Sequence, residues 1–290
     1  MKLATKFNLA LISVLIVSLI ATAYLAYIVL QRNARHEVIQ QASMMLETAL
    51  AVRGYTVGEI RPLLTEQMNS EFLPQSVPAY AATQSFDKLH EKHPDYSYKE
   101  ATLNPTNLRD RATDWETDII LEFSKDKNRK EIIGIRDTPT GPSLYLSRPI
   151  RIKNEGCLVC HSVASAAPKT MLAKYGSVNG FGWKMNEVVG AQIISVPMTL
   201  PIHMANQTFL HFMVFLVIIF LCIIVLLNIM LRRIIILPVT RIALTADRIS
   251  MGNMDTPEFE ANGKDEISVL AHSFNRMRRS LQKAMKMLDR

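Results

Sequence analysis

The apolar positions of this chain follow three patterns, and each predicts a different kind of element. Two runs are unbroken: residues 7–30 are 24 positions without a charge, and residues 209–231 are 23 more. About 20 such residues cross a bilayer as a helix, so both runs predict transmembrane spans. Helical spacing follows the first run in "QRNARHEVIQQASMMLETALAVRGYTVGEIRPLL", where Val38, Met45 and Val52 recur and no proline intervenes before Pro62. A long helix rising out of the membrane is expected there. "EFLPQSVPAYAATQSF" reads as an ordered loop leading to a short helix, and "KHPDYSYKEATLNPTN" as a segment punctuated by Pro94 and Pro105. From Asn107 onward, Leu108, Ala112, Trp115, Ile119 and Phe123 recur at helical spacing and predict another helix.

The third pattern is β-like. "EIIGIR" (131–136), the turn "DTPTGP", "SLYLSRPIRI" and "GAQIISVPM" predict a hairpin and a last strand just before the second span. The middle of the chain is therefore expected to be an α+β domain, with a five-stranded PAS-type sheet and one long membrane-proximal helix. Beyond the second span come Leu237-Pro238 and then Val239, Ile242, Ala246 and Ile249 at steps of three, four and three. "GNMDTPEFEANGKDE" interrupts the stripe; Ile267, Leu270, Phe274, Met277 and Leu281 resume it, and Ala284 and Leu288 continue it. Two amphipathic helices joined by a loop are predicted; a simple amphipathic helix on the inner leaflet is the plainer alternative.

Charge orients these elements. Residues 1–6 carry Lys2 and Lys6 and no acid, residues 232–290 hold 11 Lys/Arg against 7 Asp/Glu, and residues 31–208 hold 20 against 19. Basic flanks stay cytoplasmic. The expected organisation is a cytoplasmic N-terminus (1–6), a first span (7–30), an exported domain (31–208), a second span (209–231) and a cytoplasmic helical pair (232–290). That is a two-pass protein of a bacterial inner membrane with a periplasmic centre. The net charge of +7 is then a topology signal and calls for no nucleic acid. Ala21-Thr22-Ala23 resembles a signal-peptidase site, but the apolar run continues past it to Leu30, which favours an uncleaved anchor.

Two of the three cysteines stand in "NEGCLVCHSVASAAPK": Cys157, Cys160 and, directly after, His161. In an exported domain, C-x-x-C-H is the arrangement for covalent haem: two thiols add across the porphyrin vinyl groups, and the histidine reaches the iron from the same turn. Zinc needs four ligands, and no further cysteine lies outside the membrane, since Cys222 falls within the second span. A disulfide or redox dithiol remains the alternative, and it leaves His161 without a role. For the sixth iron position the exported residues offer His36, His90, His93 and His203, and Met44, Met45, Met68, Met171, Met185 and Met198. A lone histidine in a loop is usually a surface residue, and a methionine on a helix usually packs.

The stretch from "VRGYTVGEIRPLL" through "EFLPQSVPAYAA", "YSYKEATLNPTN", "SRPI", "GCLVCH" and "GFGWKMNEVVGAQIISVP" resembles the c-type haem, PAS-like exported sensor domains first characterised in cyanobacteria and formerly labelled a domain of unknown function. The likeness covers about residues 35–198. It implies a PAS-like fold holding one haem c through Cys157, Cys160 and His161. A branch of that family uses a cysteine on the first long helix as second axial ligand, and Arg53 stands at that place. The resemblance therefore implies no thiolate there. Arg53 becomes a candidate distal hydrogen-bond donor or haem-propionate contact, with a surface salt bridge to Glu47 or Glu59 as the plain alternative.

Pro238, Gly252 and "DEISVLAHSFNRM" resemble a HAMP linker, with Ser268 where that family usually has glycine. Such linkers are parallel four-helix bundles of two chains, which implies a homodimer. No kinase, cyclase or methyl-accepting segment and no phosphate-binding glycine loop follows in the sequence, so a separate cytoplasmic output protein is the expected partner. The leading expectation is a membrane-bound haem sensor for a redox or small-ligand signal. The alternative is a membrane-anchored monohaem cytochrome serving a soluble electron carrier. A haem enzyme comes third, because no catalytic constellation is legible.

Overall fold

In the computed structural model, residues 3–253, 255–259 and 263–288 are described, with the side chains of Leu3 and Leu288 left out. Lys2, one of the two basic residues before the first span, lies outside the described residues, as does the side chain of Leu288 in the last stripe. The chain divides into two compact units: Ile28–Thr208, and Met1–Tyr27 together with Phe209–Arg290.

Helix α1 (Leu3–Tyr55) carries the first apolar run and the expected long helix as one element. It continues as a π-helical turn, Thr56–Ile60, and a short helix α2 (Arg61–Leu64). The helical path thus continues past Pro62. A proline within a helix withholds an N–H and pushes on the carbonyl four residues back, and the wider π turn relieves both. Helix α3 (Pro78–His90) follows the proline loop as anticipated.

The sheet has four antiparallel strands in the order β1-β4-β3-β2. They are β1 (Ser97–Thr102), β2 (Ile132–Thr138), β3 (Gly141–Arg151) and β4 (Val188–Pro197). The expected five-stranded sheet is thereby corrected. Beyond β1, the chain makes a single parallel bridge, Thr102 with Arg111, and turns into a 3-10 helix at Leu108–Asp110. That bridge also delays the helix anticipated from Asn107. Helix α4 spans Asp114–Lys125, where Glu116 Oε2 accepts from the Thr113 backbone N–H at 2.8 Å. Strand β1 lies in the segment that had been read only as punctuated by prolines.

The central strand β4 is buried on both faces and separates two cores. On one face, Val38, Ala42, Leu46 and Ala49 of α1 and Phe86 of α3 meet Leu144, Leu146, Ile194 and Val196. On the other, Ile119, Ile120 and Phe123 of α4 meet Ala101, Ile132, Ala191 and Ile193. The alternation of Ile193 and Ile194 between the two cores is the period-two rule of a strand. Full burial of each such side chain is worth about 1.5–3 kcal/mol, so the layers rest mainly on this packing.

Helices α5 (Glu155–His161) and α6 (Lys169–Tyr175) lie between β3 and β4 in the chain. Helix α7 (Thr199–Met230) carries the second apolar run. Within Ala4–Leu64 and Thr199–Ser250 lie two helices long and apolar enough to cross a membrane. In the membrane-side unit, Asn8 Nδ2 donates to Asn228 Oδ1 at 2.8 Å, and the Tyr27 and Phe209 rings meet at 5.8 Å, so α1 and α7 run antiparallel.

A second π-helical turn, Leu231–Ile236, precedes Pro238 at the start of α8 (Leu237–Ser250), and α9 (Glu266–Leu288) follows. Their small core joins Ile242, Ile249, Ala271 and Phe274. The Asn275 side chain grips Phe259, donating to its carbonyl at 2.9 Å and accepting from its N–H at 3.1 Å. Leu270, Met277 and Leu281 of the anticipated stripe stay exposed, with Ala271 inside in place of Leu270.

Candidate cofactor site

Helix α5 begins where Asn154 Oδ1 accepts from the Gly156 N–H at 2.8 Å, the side-chain cap expected of asparagine. Positions three and four apart share a helix face. Cys157, Cys160 and His161 stand in that relation, so one face of a single short helix presents two thiols and an imidazole. Both thiols are free and half-buried. Burial pushes the Cys160 thiol up, and the nearby Arg61 charge opposes it.

The imidazole is held by segments distant in sequence. His161 Nδ1 lies 2.7 Å from the Gly180 carbonyl and 3.4 Å from Thr106 Oγ1, and the ring stacks on Trp183 at 3.9 Å. A carbonyl oxygen only accepts, so Nδ1 carries the proton and Nε2 keeps its lone pair. Burial lowers the His161 pKa, against the Gly180 hydrogen bond, which keeps the ring neutral. The 180–183 loop is clamped in turn. Gly182 N donates to the Ser162 carbonyl at 2.7 Å and Trp183 N to the His161 carbonyl at 3.1 Å. Asn104 bonds Gly180 N and the Phe181 carbonyl. Gly180 has φ +85°, and a Cβ there would stand 2.1 Å from Thr106 Oγ1, so glycine is required twice over.

Arg53 corrects an expectation. It pairs with neither Glu47 nor Glu59, because residues six apart on a helix do not face each other. Its Nη1 donates to the buried Glu100 of β1, which also accepts from Tyr98 Oη at 2.6 Å; Gln192 Nε2 donates to Tyr98 Oη at 3.0 Å. Burial acts against the Arg53 charge, but the Glu100 carboxylate outweighs it and the pKa rises; the Cys157 thiol is within electrostatic reach. Burial and Glu100 together raise Tyr98 far above its ordinary value, so it stays a donor. Glu47 is taken by Arg148 at 2.6 Å.

The candidates for a sixth ligand scatter. His36 bonds Gln40, His90 bonds the Tyr96 carbonyl, and His203 is exposed on α7. Met68 Sδ accepts from Ser76 Oγ, Met171 and Met198 are buried, and Met185 is exposed. Met44, Met45 and His93 come together, lining a groove beside α1. Among the described residues no three His, Cys, Asp or Glu side chains gather to hold a bare metal ion.

Sequence reasoning missed the roles of Thr106, Gly180, Trp183, Tyr98, Glu100 and Gln192. Each lies inside a quoted stretch, "YSYKEATLNPTN" or "GFGWKMNEVVGAQIISVP", so the family likeness marked the segments without the partners. The arrangement can offer two sulfur nucleophiles and one neutral nitrogen ligand from one face.

An α+β domain carried between two helices able to cross a membrane, with a linker pair behind the second, has the architecture of a membrane signalling protein. Residues 31–197, more than half of the chain, match the Tll0287-like family, and residues 230–283 match the HAMP domain. The chain belongs to the Tll0287-like family and carries a HAMP domain after it. A crystal structure of the cyanobacterial haem-protein Tll0287 resembles it at 14% identity and a TM-score of 0.43, covering 56% of this chain and 95% of that one. No curated protein matches the chain.

Proposed function

We propose that this chain is a two-pass inner-membrane sensor whose exported domain, residues 31–208, holds one haem c and signals through its HAMP helices to a separate cytoplasmic partner. Cys157 and Cys160 hold the haem covalently and His161 Nε2 is the proximal iron ligand. The observation that carries this reading is the Gly180 hydrogen bond: it protonates Nδ1 and leaves Nε2 free, on the face that bears both thiols. Such outer partners fix the tautomer and orientation of a metal-binding histidine. Two free, half-buried thiols and an imidazole nitrogen with its lone pair share that face, the donor set a covalent haem needs. The residues therefore fit a haem.

When bound, the haem supplies an iron that changes redox state or takes a small ligand. The chain's own residues then act around it. Gly180 and Trp183 hold the imidazole in one orientation. Arg53 is a fixed positive charge near Cys157, and its N–H groups other than those on Nη1 have no protein acceptor among the described residues, so they suit a propionate or a distal ligand. Arg53 sits on α1, the helix that also carries the first span, which gives a signal a direct mechanical route. The exposed Leu270, Met277 and Leu281 on α9 are what a second copy would cover in a HAMP dimer.

The test is expression of the full chain with c-type haem maturation. Haem should remain attached through a denaturing gel in the native chain and be lost in the Cys157→Ser/Cys160→Ser variant; haem retained by that variant would overturn the reading. Spectra in both redox states, with and without carbon monoxide, separate redox from gas sensing. Deleting residues 238–290 should abolish signalling. If a reporter response survives that deletion while electron transfer is lost, the sensor reading fails.

A further inference from the structure

We propose that α1 and α7 hold one axial register across the membrane, so that a signal crosses as movement of the two spans together and not as one sliding past the other. What travels rests on the sensor reading above; the register does not. Two side-chain contacts join the spans in the membrane-side unit. Asn8 Nδ2 donates to Asn228 Oδ1 at 2.8 Å, and the Tyr27 and Phe209 rings meet edge to face at 5.8 Å. From Asn8 to Tyr27 and from Phe209 to Asn228 the count is the same, 19 residues. That length of helix is about 28 Å, close to the thickness of a bilayer's hydrocarbon core. The two contacts therefore stand one at each edge of the apolar layer, on a single antiparallel register.

The chemistry of the inner contact opposes sliding in both directions. Asn228 Nδ2 donates to the Ile224 carbonyl at 2.8 Å, one turn back on its own helix, which leaves its Oδ1 to face Asn8. Asn8 Oδ1 has no hydrogen-bond partner, so the amide pair rests on one bond. A slide of α7 by one turn toward the cytoplasm sets Ile224 and Val225 against Asn8 and strands both amides among apolar side chains. A slide the other way sets Arg232 against Asn8 and draws a guanidinium toward the hydrocarbon, where a charge is costly. Either movement also parts the Tyr27 and Phe209 rings.

The experiment uses the full chain in lipid nanodiscs, diluted with unlabelled chain and carrying Cys222→Ala. Gadolinium labels are placed on Leu9→Cys and Leu210→Cys, both 60% exposed in the native chain. On this register the labels lie about 26 Å apart along the helix axis, so the distance between them, read by pulsed electron paramagnetic resonance, reports sliding directly. It should agree to within about 0.5 Å between ferricyanide-oxidised and dithionite-reduced haem, where a sliding span would move it by about 1–2 Å or by a full turn. Asn228→Leu should add a second, shifted population, since one interhelical side-chain bond in lipid favours its register about threefold. A distance that moves with the haem state, or an Asn228→Leu chain with a distribution as narrow as the native one, would overturn the assignment. The Asn228→Leu comparison decides equally in the haem-free Cys157→Ser/Cys160→Ser chain. A second label, Leu281→Cys in an undiluted sample, keeps the two readings apart: if neither distance responds to the haem state, the sensor reading fails and the register stands.

Discussion

Replacing Glu100 with leucine removes the one carboxylate that faces Arg53. The Arg53 and Glu100 side chains are 25% and 6% exposed, so both charges are largely withdrawn from water. Breaking a fully buried pair from one side costs about 3–5 kcal/mol, because the remaining charge has no partner. Arg53 retains some solvent, which lowers the expected cost of Glu100→Leu to about 2–3 kcal/mol. Arg53→Leu strands the more deeply buried carboxylate and should cost about 3–4 kcal/mol, even with Tyr98 still donating. The double variant buries two apolar side chains in place of the pair but takes the acceptor from Tyr98 Oη, so it should fall within about 2 kcal/mol of the native chain. The coupling between the two sites is then about 3 kcal/mol or more, well outside the additivity of independent sites. Thermal unfolding of the detergent-solubilised chain, followed by near-UV circular dichroism, reads this directly. Each single variant should melt about 5–10 °C lower, and the double variant no lower than the milder single. If the double variant loses the sum of the two singles, the pair is not an isolated buried unit and the reasoning fails.

Gly180→Ala places a Cβ against Thr106 at a left-handed φ; it should lower stability by about 2 kcal/mol or more and shift the His161 ring resonances, and unchanged resonances would contradict the clamp. Asp110 is raised to about 6 by burial, against the Arg109 charge, with Lys99 drawing it down and Glu100 and Asp87 raising it. The folded chain then holds a proton that the unfolded chain has released, so stability should fall by about 1–2 kcal/mol as pH rises from about 4 to 6 and level off above; Asp110→Asn should flatten that slope in denaturation series run across this range. Met277→Glu/Leu281→Glu on α9 should yield monomers by light scattering without lowering the melting temperature of the exported domain, whereas a dimer unmoved by the change would place the contact elsewhere.

Elements whose apolar pattern matched their burial were legible in the sequence. The strand at 190–198 is apolar on both faces because β4 is central, and the helix beneath Ile119 and Phe123 shows its stripe because one side meets the sheet. Strand β1 was not legible for the converse reason. Its sequence, Ser-Tyr-Lys-Glu-Ala-Thr, carries two charges, and their compensation lies far along the chain: Lys99 meets Glu116 at 2.7 Å, and Glu100 meets Arg53. A buried charge is tolerated only with its partner, and a partner 17 or 47 residues away leaves no periodic trace. The late start of α4 goes with the Thr102–Arg111 bridge, a backbone pairing that side-chain periodicity does not record.

By itself the sequence determined the two apolar runs, the basic ends, the family likeness and the trio Cys157, Cys160 and His161. These rest on local composition and on spacings within one helical turn. Only the tertiary structure decided that His161 is protonated on Nδ1 and that Arg53 belongs to Glu100. Each of those depends on which distant backbone or side-chain atom a polar group meets once water has been excluded. Local pattern places a group on a face, and the fold alone supplies the partner across from it.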